Sequence, residues 1–160
     1  MGRGRFDPVL FDLDGVLTPT AEAHMRAWAS LVGTYLAERG IAPPYTDLDY
    51  FEHIDGKQRY DGVAAFLRSR GLELPWGDPS DAPETDTVCG LGNRKDAVFT
   101  RVLREEGVVP YAGSVALLDE LAAHGTRVAV VSSSRNAGTV LAAAGLAVAL
   151  LADVSVIAED

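Results

Sequence analysis

Two short apolar runs, each halted by a knot of polar residues, constrain this chain more than any other feature. Residues 9–11 (VLF) run into Asp12-Leu13-Asp14-Gly15, and residues 126–131 (TRVAVV) run into Ser132-Ser133-Ser134-Arg135-Asn136. A short, mostly β-branched or aromatic run that meets a polar loop has the form of a buried parallel strand. Between them the period changes: Thr20, Ala21, His24, Trp28, Leu31, Val32, Tyr35 and Leu36 recur at three- and four-residue spacing, as on a helix. Further helices are expected over 61–70, 96–106, 114–124 and 137–144, and a third strand over 154–157. Strands separated by helices predict an α/β fold with a parallel sheet, whose ligands sit beyond the carboxyl ends of the strands. Asp12, Asp14 and Ser132 would share that rim.

The stretch 19–93 is far longer than one crossover helix requires. It reads as an inserted helical cap, with the core built from 1–18 and 94–160. Residues 72–93 carry Pro75, Gly77, Pro79, Pro83, Gly90 and Gly92, and such a composition predicts a surface loop. The apolar stretch 137–152 is rich in Ala and Gly and falls short of the roughly 20 residues a membrane span needs, with Gly145 as a helix stop. The start MGRGRF is followed by only three apolar residues, too few for a signal peptide, and Phe6 stands where a myristoylation motif wants Ser or Thr. A single cysteine, Cys89, allows no internal disulfide and suggests no cysteine metal site. A cytoplasmic protein is expected. The net charge of −9 weighs against nucleic acid and anionic membrane as partners, so an anionic ligand would be caught by local Arg and Lys.

Two carboxylates two residues apart at a strand end can divide labour, one attacking phosphorus while the other moves a proton. Two acids and a phosphate make a strongly anionic site, which Mg²⁺ would relieve. An Asp pair before glycine equally suits a capped turn, and a triple serine suits a polar loop. His24 and Trp28 lie four apart on one helical face and also fit a cap core with His24 at its edge. A phospho-acceptor signalling domain shares the strand-end Asp, although the inserted cap argues against it.

FDLDGVLTPT followed by AEAHMRAW resembles the DxDGVxxxT signature and first cap helix of the β-phosphoglucomutase-like branch of the haloacid dehalogenase phosphotransferases. The resemblance runs over about residues 9–146 and implies a partial Rossmann-like core. It also implies that Asp12 becomes an aspartyl phosphate, that Asp14 acts as general acid/base, and that both take part in holding Mg²⁺. Ser132, closing VAVVSSS, resembles the second family motif, whose hydroxyl bonds the transferring phosphoryl group with help from the turn at Ser133. Arg135 and Asn136 sit where the family contacts a second phosphate or sugar. In the cap, the resemblance implies that His24 couples Asp14 to closure and that Trp28 shapes the cap side of the site. DGKQRYDG, with Gly56 and Arg59, resembles the loop whose Arg holds the distal phosphate. GNRKD, with Lys95, resembles an element contacting the sugar phosphate, while its Arg-Lys pair also fits a solvated helix start. Pro19 stands where many members carry Asp, between core and cap.

The family pattern continues past this point with a Lys that offsets charge on the phosphoaspartate and an acidic pair that completes the Mg²⁺ site. No Lys follows Lys95, and Glu159-Asp160 resembles the acidic pair only superficially, with Asp160 a candidate substitute ligand. A truncated or divergent end is therefore expected, with impaired activity and self-association through an exposed sheet edge. The expected function is Mg²⁺-dependent phosphoryl transfer on a sugar phosphate, as mutase or phosphatase. The alternative is an inactive phosphosugar-binding fragment or a partial chain.

Overall fold

The computed structural model describes residues 8–146. In chain order they form β1 (Val9–Asp12), α1 (Thr20–Glu38), α2 (Asp47–Asp49) running into a π-helical turn at Tyr50–Ile54, α3 (Arg59–Ser69), α4 (Val88–Glu106), α5 (Ala112–Ala123), β2 (Val128–Val131) and α6 (Ala137–Ala143). They group into two units, residues 8–21 with 107–146, and Glu22–Glu106. The expected strand over 154–157, and Asp160, lie outside the described residues.

In the first unit β1 and β2 pair in parallel, with Val9 opposite Val128 and Asp12 opposite Val131. The α/β expectation holds. The two-residue period turns Phe11 and Val130, register partners, into the interior, while Leu10 stays 65% exposed. Leu13, Leu118, Val140, Leu141 and Leu146 are buried with them. After β1 the chain folds into a tight turn in which Leu17 and Thr18 donate their N–H groups to the Leu13 carbonyl. Gly15 has φ +81° there, a conformation that any side chain would strain. Tyr111 N–H to the Leu17 carbonyl and Ser114 Oγ to the Val16 carbonyl fasten this turn to the start of α5.

The second unit has its own core. Trp28, Leu31, Val32, Tyr35 and Leu36 form the buried stripe of α1, and meet Ile54, Val63, Phe66, Leu67, Val88 and Leu91. At about 1.5–3 kcal/mol for each fully buried large apolar side chain, this cluster is what makes the unit hold together. Arg70, nearly buried, pairs with Asp49 at 2.8 Å and ties the end of α3 to α2.

The expected loop over 72–93 ends earlier than its composition implies. Residues 88–95 are the first two turns of α4, with Val88, Cys89, Gly90, Leu91 and Gly92 buried. Gly90 and Gly92 serve close approach here: a Cβ on Gly90 would lie 2.2 Å from the Thr85 carbonyl oxygen, and one on Gly92 would lie 2.6 Å from the Tyr60 ring. The expected core–cap boundary at 93/94 thus falls inside a continuous helix. Among the described residues no helix is long and apolar enough to cross a membrane.

Candidate active site

The parallel register delivers the first half of the site. Because Asp12 stands opposite Val131, the residue after β2, Ser132, emerges at the same rim as Asp12. Leu10, Phe11, Asp12, Val131, Ser132 and Ser133 line an open depression of about 430 Å³. Asp12 is exposed, and its Oδ1 accepts the Leu13 N–H at 2.7 Å, which orients the carboxylate and leaves Oδ2 for chemistry. Ser132 is only 4% exposed, and its Oγ accepts the Ser134 N–H at 3.1 Å. Since that bond uses an oxygen lone pair, the Ser132 proton remains to be donated. The same pattern recurs one step on, where Ser134 Oγ accepts the Asn136 N–H at 3.2 Å. Ser133 and Arg135 are exposed and Asn136 is half-buried.

Asp14 is reached through the turn. Its Oδ1 accepts the Thr20 hydroxyl, so Thr20 has no proton left to give to Thr18, 2.8 Å away. The Thr18 hydroxyl also donates to the Leu13 carbonyl at 3.3 Å, so Thr18 and Thr20, both buried, tie the turn after β1 to the Asp14 carboxyl. Thr20 is both the start of the helical pattern and the closing Thr of the DxDGVxxxT signature; its bond to Asp14 and the part of Thr18 are seen only in the structure.

In the second unit, His24 on α1 stacks on Phe99 of α4 with ring centroids 3.9 Å apart. Its Nδ1 lies 2.7 Å from Lys95 Nζ. Lys95 is 4% exposed, well inside α4, and its nitrogen sits 4.6 Å from the Phe99 ring centre and 5.6 Å from that of Trp28. A solvated helix start is therefore not what Lys95 forms. Two aromatic faces favour an ammonium at this place, and an ammonium, which has donors only, would make His24 Nδ1 the acceptor. Trp28 is buried in the core of this unit. Gly56, φ +71°, follows the π-helical turn. Arg59 opens α3 and pairs with Asp96 at 2.9 Å. Asp96 and Phe99 were not singled out from sequence, although 92, 95, 96 and 99 share one helical face.

Asp12 and Asp14 offer oxygen donors only, which suits a hard cation such as Mg²⁺. Among the described residues no group of three or more His, Cys, Asp or Glu side chains could hold a metal. One or two carboxylates completed by waters and substrate phosphate is a common shell for that ion, so the residues fit it.

The β-phosphoglucomutase of Mycobacterium bovis is 47% identical over 143 residues, covering 86% of this chain and 55% of that protein. Its Bacillus subtilis counterpart is 32% identical over 133 residues, covering 83% and 53%. This chain thus spans about half the length of the curated relatives it matches. A crystal structure of β-phosphoglucomutase from Clostridium difficile has the same fold, with TM-score 0.71 at 22% identity, over 93% of this chain and 60% of that one. The family model for haloacid dehalogenase-like hydrolases matches residues 6–160. That match takes in the strand ending in Asp12, the helical residues that follow and the strand leading to Ser132 together, and on it the chain belongs to the haloacid dehalogenase-like hydrolase family.

Proposed function

We propose that this chain carries out Mg²⁺-dependent phosphoryl transfer on a sugar phosphate, through an aspartyl phosphate on Asp12. The observation that carries the reading is the placement of an exposed Asp12 carboxylate and a proton-donating Ser132 around one depression at the strand ends. In the first half-reaction Asp12 Oδ2 bonds to phosphorus as the bond from phosphorus to the sugar oxygen breaks. Asp14, held by Thr20, gives its proton to that leaving oxygen. In the second half the acceptor hydroxyl returns a proton to Asp14 as it displaces Asp12 from phosphorus. A sugar hydroxyl as acceptor makes a mutase, and water makes a phosphatase. Ser132 O–H and the N–H groups of its turn bind the phosphoryl oxygens as charge develops. Mg²⁺, which the Asp12 carboxylate and the Asp14 main-chain carbonyl would hold, would offset the charge of the phosphate and of Asp12. Arg59 is assigned to the distal phosphate, where its planar fork of donors suits bidentate contact. His24 is assigned to coupling Asp14 to substrate closure, and Lys95, buried against its Nδ1, acts through His24.

The mutase names of the relatives favour a phosphohexose over other phosphate esters. The test is trapping with beryllium fluoride and Mg²⁺, together with turnover of β-glucose 1-phosphate followed by glucose 6-phosphate and free phosphate. Asp12→Asn is expected to abolish trapping and to lower turnover by about 10³-fold or more. Trapping that survives in the Asn variant would remove Asp12 from the nucleophile's role.

A further inference from the structure

Arg59 occupies an awkward place for a cation. It is the first residue of α3, where the helix dipole favours negative charge. A long, rotamer-rich side chain there needs something to hold it if it is to meet an anion in one geometry. Three residues of α4 converge on it and its neighbour. Asp96 Oδ1 lies 2.9 Å from an Arg59 terminal nitrogen, with the two side chains 18% and 29% exposed. Gly92 lies against the Arg59 stem, since a Cβ there would come 3.3 Å from Arg59 Cδ. Asn93 accepts the Tyr60 hydroxyl at 2.9 Å and anchors itself by donating to the Pro79 and Asp81 carbonyls. The guanidinium centre also lies 5.8 Å from the Tyr60 ring centre.

We propose that Asp96 is a positioning residue: it fixes the Arg59 guanidinium through one N–H of Nη2, so that the edge left open, the second N–H of Nη2 with its neighbouring nitrogen, receives a phosphate group of the substrate. The proposal deepens the sugar-phosphate reading and rests on it. Arg carries five N–H donors in a rigid fork, and the Asp96 contact engages one edge of that fork. The opposing possibility is that Asp96 competes with the ligand, since a carboxylate beside an anion site repels phosphate. The two differ in the sign of one measurement, because removal of a positioner weakens binding and removal of a competitor tightens it.

The experiment uses the full chain and two variants, Asp96→Ala and Asp96→Asn, with folding checked by circular dichroism and thermal melting. The first readout needs no ligand: the Arg59 side-chain ¹H–¹⁵N signals, assigned with Arg59→Lys. In wild type and Asp96→Asn, which keeps an acceptor, they are expected as resolved and exchange-protected signals. In Asp96→Ala they are expected to broaden or merge. The second readout is calorimetric binding of glucose 6-phosphate. Asp96→Ala should bind about two- to tenfold more weakly than wild type, the span expected for re-ordering one mobile side chain, and Asp96→Asn should bind at least as well as wild type. Unchanged Arg59 signals in Asp96→Ala would overturn the proposal, as would equal or tighter binding by that variant. Should wild type hold Arg59 fixed yet bind neither glucose 6-phosphate nor inorganic phosphate, the sugar-phosphate reading itself fails, and Asp96 is reduced to a brace between α3 and α4.

Discussion

Lys95 is a lysine in a costly place, and what surrounds it explains why the place is tolerated. The Lys95 nitrogen is out of water but near two aromatic rings and against an imidazole nitrogen. Taking away one partner of a buried polar pair is worse than replacing the charged member by an apolar side chain of similar size. His24→Ala is therefore expected to cost about 3 kcal/mol in urea unfolding, through the Lys95 contact and the lost stack on Phe99, and Lys95→Met less than half of that. The reverse order would show that the His24 contact is not what makes the place tolerable for Lys95. At this scale the sequence told most about Asp12, Asp14 and Ser132, because a strand end announces itself in a few consecutive residues. Asp96 and Thr18 stayed hidden because their work consists of touching other groups, which no local pattern records.

Elements show the same division between local and tertiary signals. The stripe of α1 and the two strands came through because their periods are uninterrupted and their ends carry polar or glycine residues. The opening of α4 did not, because Gly90 and Gly92 read as breakers, and only the Thr85 carbonyl and the Tyr60 ring packed against them explain why small residues stand there. Tertiary packing overrides propensity at that point. The short α2 depends on Asp49 twice: its Oδ2 accepts both the N–H and the hydroxyl of Thr46, and its Oδ1 pairs with Arg70. Asp49→Ala would remove a cap and leave the Arg70 charge nearly buried, so a loss of about 3 kcal/mol or more is expected in chemical denaturation. A loss under about 1 kcal/mol, the usual worth of an exposed pair, would mean that water replaces Asp49 without difficulty.

For the molecule as a whole, alkaline pH weakens the fold through Tyr45. Burial first, then the charges of Asp47 and Asp49, push the Tyr45 phenol well above its ordinary 10.0. A raised folded-state pKa means that the unfolded chain gives up this proton first. The contribution is thus whole below pH 10.0 and is lost as pH rises beyond it toward the raised value. Urea midpoints should fall above that pH, and Tyr45→Phe, which keeps the edge contact with Phe66, should flatten the decline. An unaltered slope in the variant would shift the cause to other groups. The pairing of β1 with β2 has a further consequence, which concerns the order of events on the ribosome. About 120 residues separate Val9 from Val128, and at about 5–20 residues per second the second strand is made roughly 6–24 s after the first. The whole of Glu22–Glu106 is synthesised in that interval, so its helices have time to fold while β1 still lacks β2. The strand that bears Asp12 is thus born early and paired late, and anything that shields a lone nascent strand will matter to it.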